Sequence, residues 1–564
     1  MPAPPPTPHP RGTSVRPLPS RRAVLGVSAA SAAALAGSGL LSACARSAAG
    51  RTTTGRGAGV DGAKHAAAGA AAPADYVDPA GPEVQAVAAA RKATGPLTEA
   101  RITATAGSVD LGGGHVFRSW AYGDKVPGPE VRATAGGTLS LTLANNLPEA
   151  TSLHCHGLAM RNDMDGVPGV TQRDIAPGGS FTYKFAVPTP GTYLFHPHTG
   201  VQQDRGLYAP LIVEDPDEPL SYDKEWVVVL DDWLDGVDGS TPDAVLAELR
   251  GASGQSTGGH MGHGTTPAAG ASPSPRPSAG GSGTGPSRVR LLGESDVLGK
   301  DVGNVEYPYY LINGRAADDP SVFTARPGDR IRLRIVNAGG DTPFRIALGG
   351  HELTVTHTDG YPVEPAKTGC LLLGMGERYD VLVTAQDGVF PLTALAEGKG
   401  ASASALAVLR TGSGTAPTAA TRPAELTTAP LMADRLRAAE SVALPARTPD
   451  RTLSLRLTGT MTRFNWAFDG APFTPDQRHP VKAGERVRLE FRNQTPMWHP
   501  VHLHGHTFAL GGGGTGARKD TTIILSGGRL TVDFDADNPG LWMLHCHNVY
   551  HSESGMMTVL GYER

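Results

Sequence analysis

Gly136-Gly-Thr-Leu-Ser-Leu-Thr-Leu-Ala-Asn145 is a turn glycine, a strict alternation of apolar and polar residues, and an asparagine nine positions after the first glycine. Side chains of a strand alternate between faces, so this stretch reads as a half-buried β-strand bounded by turn signals. The pattern returns twice, as Gly328-Asp-Arg-Ile-Arg-Leu-Arg-Ile-Val-Asn337 and Gly484-Glu-Arg-Val-Arg-Leu-Glu-Phe-Arg-Asn493. Three copies imply three similar β-sandwich domains, and 564 residues is length for about three domains of common size. The 73 glycines and 47 prolines, with little helical periodicity, favour the same turn-rich all-β class. A formal net charge of −4 gives no reason to expect a nucleic-acid partner.

The chemistry is concentrated near the C-terminus, in His545-Cys546-His547-Asn-Val-Tyr-His551-Ser-Glu-Ser-Gly-Met556-Met. Two histidines, one cysteine and a weak axial methionine are the donors of a blue-copper electron-transfer site. Cys546 would supply the thiolate, His551 one imidazole and Met556 the axial sulfur, with His499 the candidate for the second imidazole. If 541–547 is a strand, His545 and His547 face one way and Cys546 the other. The thiolate then holds one centre while its neighbours hold a second, a short covalent path away. His154-Cys155-His156 and His196-Pro197-His198 repeat the two-residue spacing, and His499-Pro-Val-His502-Leu-His504 adds three more rings. One His-X-His pair alone would read as satisfied core histidines. Four such motifs hold ten of the nineteen histidines in the chain, which that reading does not explain.

In these four motifs, from about residue 95 to 564, the chain resembles the four-copper multicopper oxidases, the laccase-like family. The resemblance implies cupredoxin-like Greek-key sandwiches and four copper ions. Carried over motif by motif, His499, Cys546, His551 and Met556 match the type 1 site. His154 and His502 match the type 2 ligands, and His156, His196, His198, His504, His545 and His547 match the type 3 pair. Family spacing selects Met556 over Met557, and a methionine there implies a lower reduction potential than the leucine or phenylalanine of some fungal laccases. Cys155 departs from the family, where an aromatic residue commonly separates these histidines, and is expected to change packing but not ligation. Asp165, in Arg161-Asn-Asp-Met-Asp165-Gly-Val-Pro, matches the family's trinuclear-site aspartate, and could equally form an Asp-Gly turn. Glu553 is a weaker proton-relay candidate, with a solvated loop carboxylate as its alternative. His506 reads as a residue behind the ligands, and His115, His351, His357 and His479 lack ligand spacing.

The resemblance implies an oxidase that passes four single electrons from a small reducing substrate, a phenol or Cu(I), to dioxygen, giving water. The bacterial copper-resistance oxidases have a similar C-terminal motif, whereas eleven methionines are few for a copper-handling chain. A non-catalytic copper-binding or structural cupredoxin protein is the rival class, and the complete ligand set argues against it. A copper nitrite reductase would not need the paired His-X-His motifs.

The domains are expected at 95–218, 219–424 and 425–564, with 411–423 as linker and a low-complexity insertion at 251–288. Ligand motifs fall only in the first and third repeats, so the second reads as a spacer that shapes part of the substrate approach. The insertion carries His260-Met261-Gly262-His263, which reads as a surface loop or as an accessory copper site. At the N-terminus, Ser20-Arg21-Arg22 opens an Ala-rich apolar stretch of the twin-arginine export type. Leu41-Ser42-Ala43-Cys44 resembles a lipobox, so residues 1–44 read as signal and Cys44 as a lipid anchor to the outer face of the membrane. The alternative is ordinary cleavage and secretion. Residues 45–94 read as tether and lead-in. Of the remaining cysteines, Cys155 and Cys370 are the one pair left for a disulfide, with two buried thiols as the other outcome.

Overall fold

The computed structural model describes residues 75–252 and 285–564. The signal and lipobox, the tether 45–74 and the His260–His263 motif lie outside the described residues.

Each copy of the repeated pattern becomes the central strand of a sheet. Gly137–Asn146 runs parallel to Leu97–Asp110 and antiparallel to Ser180–Val187. Arg330–Asn337 stands in the same relation to Lys224–Trp233 and Arg378–Thr384, and Arg486–Asn493 to Arg451–Thr458 and Arg529–Asp535. The closing asparagines are equivalent too. Asn145, Asn337 and Asn493 donate through Nδ2 to the carbonyls of Glu149, Thr342 and Met497 at 2.9, 3.0 and 2.7 Å. Their Oδ1 atoms accept the N–H two residues on at 3.0, 3.0 and 2.9 Å. The amide thus satisfies the loop that leaves the strand end, which is why the asparagine recurs with the strand.

These three sheets of four, six and six strands each have a companion of four, five and five strands. The result is three cupredoxin-like β-sandwiches, as the resemblance implies. Their alternating apolar faces, including Leu139, Leu141 and Leu143 in the first copy, are buried. Residues 75–91 are packed: the helix Pro82–Ala90 buries Val84, and Val77 N–H donates to Tyr562 O at 2.8 Å, binding this lead-in to the C-terminal strand. At the insertion, residues 251–252 complete the helix Pro242–Ala252, and Arg288 donates to Ser240 Oγ at 2.9 Å. Cys155 and Cys370 are buried free thiols. Among the described residues no helix is long and apolar enough to cross a membrane.

Candidate metal centre

The first sandwich pairs His154–His156 antiparallel with Gly191–His196, setting His154 opposite His196. In the third, His499–Leu503 pairs with Leu541–Cys546, so that His502 faces His545 and Val501 faces Cys546. Strand alternation then separates two groups of donors. His499 and Cys546 lie on one face, and His502, His504 and His545 on the other. Cys155 points from its strand into the apolar core, away from its flanking histidines.

On the first face His499 Nδ1, His551 Nδ1 and Cys546 Sγ form a triangle with sides of 3.2, 3.7 and 3.8 Å. Metal–imidazole and metal–thiolate bonds of about 2.0 and 2.3 Å, placed trigonally, need donor separations of about 3.5 and 3.7 Å. The triangle therefore accepts a metal with little movement. The Asn548 carboxamide caps the helix Val549–Ser554 and fixes His551, while Thr495 accepts from His499 Nε2 at 2.8 Å. Met556 is fully buried, and its carbonyl accepts the Cys546 N–H at 3.0 Å. Burial pushes the Cys546 thiol up, so a bound cation is required to keep it as thiolate.

On the second face four histidines from each of the first and third sandwiches converge. Their donor atoms fall in the groups His154–His156–His502, His154–His198–His504, His156–His196–His547 and His502–His504–His545, each within 4.8 Å. The outer nitrogen of most rings is already held. His154 donates to Asp165 O at 2.7 Å, His502 to Asp520 O at 2.9 Å, His196 to Pro197 O at 3.1 Å and His545 to Cys546 O at 2.9 Å. His504 Nδ1 donates to the Asp165 carboxylate at 3.0 Å, and His156 Nε2 to Asp520 Oδ1 at 3.0 Å. The inner nitrogens, His154 Nε2, His156 Nδ1, His196 Nε2, His198 Nε2 and His502 Nε2, are buried without a protein partner. So many orphaned acceptors gathered in these groups are costly unless cations meet them. The residues fit a metal cluster.

Nine of these imidazoles are held towards the neutral form that metal binding requires. Burial lowers His196 and His499 to about 3. His156, His198, His502, His504, His545, His547 and His551 move in the same direction, burial first and neighbouring imidazoles second for most of them.

Asp165 both closes the turn Asn162–Met164, with its N–H on Asn162 O at 3.2 Å, and reaches the cluster. Glu553 stays on the His551 helix, where Arg250 donates to its carbonyl. Burial raises its carboxyl, Arg250 opposes, and its side chain holds none of the cluster rings. His506 lies behind the ligands, with Nδ1 on His504 O at 3.1 Å and Nε2 on Tyr562 Oη at 2.7 Å. Sequence reading missed Asp520, Arg378 and Trp466. Asp520 is fully buried. Although burial alone would raise it, Arg378 and His156 hold its carboxyl well below the usual range.

Three multicopper oxidase family models match the chain, over residues 103–218, 295–414 and 446–563. The chain is 45% identical over 485 residues to "Multicopper oxidase MmcO" of Mycobacterium tuberculosis, covering 85% of this chain and 90% of that protein. It is 29% identical to "Copper resistance protein A homolog" of Pseudomonas syringae pv. tomato, over 76% and 87% of the two chains. The crystal structure of the laccase from Botrytis aclada superposes with TM-score 0.65 at 25% identity, covering 83% of this chain and 88% of that one. Fold and site together define a cupredoxin-type copper enzyme. The chain belongs to the multicopper oxidase family, and it is an oxidase.

Proposed function

We propose that this is an exported oxidase that takes single electrons from a small donor, Cu(I) in preference to phenols, and passes them to dioxygen to give two waters. In this reading His499, Cys546, His551 and Met556 hold the type 1 copper. His154 and His502 hold the type 2 ion, and His156, His196, His198, His504, His545 and His547 hold the type 3 pair. Bound there, four copper ions supply the one-electron chemistry at the donor side and the four-electron reduction of dioxygen at the cluster.

The chain's own residues do the rest. Cys546 is bonded through the backbone to His545 and His547, so the two centres share one continuous peptide segment. Of the two proton-relay candidates, Asp165 is the one that touches a cluster ring: it holds the proton on His504 Nδ1 and so leaves Nε2, which faces His545 Nε2 at 3.2 Å, without one. Burial excludes bulk water from both faces.

The observation that carries the donor preference is the cover over the type 1 rings. His551 and His499 are 1% and 0% exposed, and the Trp466 ring lies 4.6 and 5.3 Å from theirs, with Phe464 at 6.3 Å from His551. A phenol has no open imidazole edge to lie against, whereas a small ion needs far less room. The name of the Pseudomonas relative supports a role in copper resistance. The test is oxygen uptake by copper-loaded protein with Cu(I) or a methoxyphenol at matched concentrations. Faster uptake with Cu(I) is expected, and a clear preference for the phenol would overturn the donor assignment.

A further inference from the structure

The middle sandwich carries none of the histidines of the four copper motifs, yet its Arg378 is paired with the carboxylate that holds one of them and its Gly376 lies against two of their rings. Arg378 opens the strand Arg378–Thr384 and is completely buried. Its Nη1 and Nη2 donate to Asp520 Oδ1 and Oδ2 at 2.7 and 2.6 Å, a two-pronged pair with a residue of the third sandwich. Nε donates to Thr192 O in the first sandwich at 3.1 Å, and Nη1 also to Gly376 O at 2.9 Å. One guanidinium thus ties together all three sandwiches at the edge of the histidine cluster.

Asp520 is the carboxylate that accepts from His156 Nε2, and its main-chain carbonyl accepts from His502 Nδ1. It therefore decides which nitrogen each of these rings turns inward: Nδ1 for His156 and Nε2 for His502, both without a protein partner. Space at this point is reserved as well. A Cβ on Gly376, whose φ is +83°, would stand 2.9 Å from His547 Cδ2 and 3.1 Å from His156 Cε1. A Cβ on Gly157, at φ +88°, would stand 2.5 Å from Arg378 Nη2 and 2.6 Å from Asp520 Oδ2. Both positions take glycine because the left-handed backbone and the close approach exclude a side chain.

We propose that Arg378 is a positioning residue of the trinuclear centre: its fork on Asp520 fixes the tautomer and ring plane of His156 and the carbonyl that orients His502. The middle sandwich is then part of the metal site, which corrects its reading as a spacer. A lysine keeps the charge but cannot make the planar fork, so geometry rather than charge is what the substitution removes. The proposal rests on the reading that these histidines hold copper.

The test uses the full chain, loaded with copper and dialysed against a graded series of a chelator, with total copper and the blue thiolate band followed together. Arg378→Lys is expected to release non-blue copper at about 10–100-fold lower chelator strength, the range found when partners behind metal ligands are lost. The blue band stays, which separates this from general unfolding. Glu377→Gln breaks the neighbouring buried pair with Lys519, 3.2 Å apart, without touching Asp520. It is expected to lower thermal stability and leave non-blue copper in place. Unchanged copper retention in Arg378→Lys, or equal loss in Glu377→Gln, would overturn the proposal. Should Arg378→Lys not yield folded protein, Asp520→Asn replaces it with the same two outcomes. If the unmodified chain itself retained no non-blue copper, the copper assignment would fail rather than the role of Arg378.

Discussion

Removing copper should make this protein sensitive to acid at a pH where the loaded enzyme is indifferent. His196 and His499 have folded-state values near 3 against 6.5 for a free imidazole. A group with a lowered folded value takes up its proton more readily when unfolded. Its contribution is therefore fully present above pH 6.5 and is lost as pH falls towards 3. One pH unit below 6.5 costs about 1.4 kcal/mol per imidazole, so at pH 5.5 these two rings alone remove about 3 kcal/mol. The seven other cluster and type 1 imidazoles with lowered values act with the same sign. They add to the loss set by His196 and His499. With an unfolding entropy of about 1 kcal/mol/K for several hundred residues, the melting temperature should drop by at least about 3 °C. Copper blocks this, because a metal-bound nitrogen must release the metal before it is protonated. The assay is calorimetry of chelator-stripped and copper-loaded protein at pH 7.5 and 5.5. An apo melting temperature that does not move, or an equal drop in the loaded protein, would show that these imidazoles do not set the acid sensitivity.

Three substitutions probe the site directly. Cys546→Ser should abolish the blue band and leave the other copper bound, read by copper analysis and absorbance, because no cluster imidazole depends on the thiolate. Asp165→Ala leaves the His504 Nδ1 donor buried without its acceptor, at about 1–3 kcal/mol. It should cut oxygen uptake and cluster copper, while Asp165→Asn, which keeps an oxygen there, should do less. Trp466→Ala uncovers the type 1 rings and should raise the rate with a methoxyphenol relative to Cu(I), measured as oxygen uptake.

Much of this was legible in the sequence because it is local. The alternation in Gly136–Asn145 and its two copies predicts the central strands, and the asparagines prove to be strand-end caps. The histidine motifs lie on or beside strands, so their spacing alone tells which rings share a face. Asp520 and Arg378 gave no such signal. Each is one charged residue beside others at a strand end, Asp520 after Arg518 and Lys519 and Arg378 after Glu377; they stand 142 positions apart, and only the packing of sandwiches makes them neighbours. Glu553, chosen for its nearness in sequence to His551, has its carbonyl held by Arg250 instead. Trp466 stands outside every histidine motif and is buried like any core aromatic; its meaning comes from the two imidazoles beneath it.

The most direct test of the two-centre assignment is copper counted per chain before and after the single change Cys546→Ser. Four coppers with a blue band are expected, falling to three without it. The substitution removes the sulfur from the His499–Cys546–His551 triangle and leaves the eight-histidine cluster untouched. A chain that binds one copper or none at the histidine cluster, or that keeps its blue band in Cys546→Ser, would contradict that assignment.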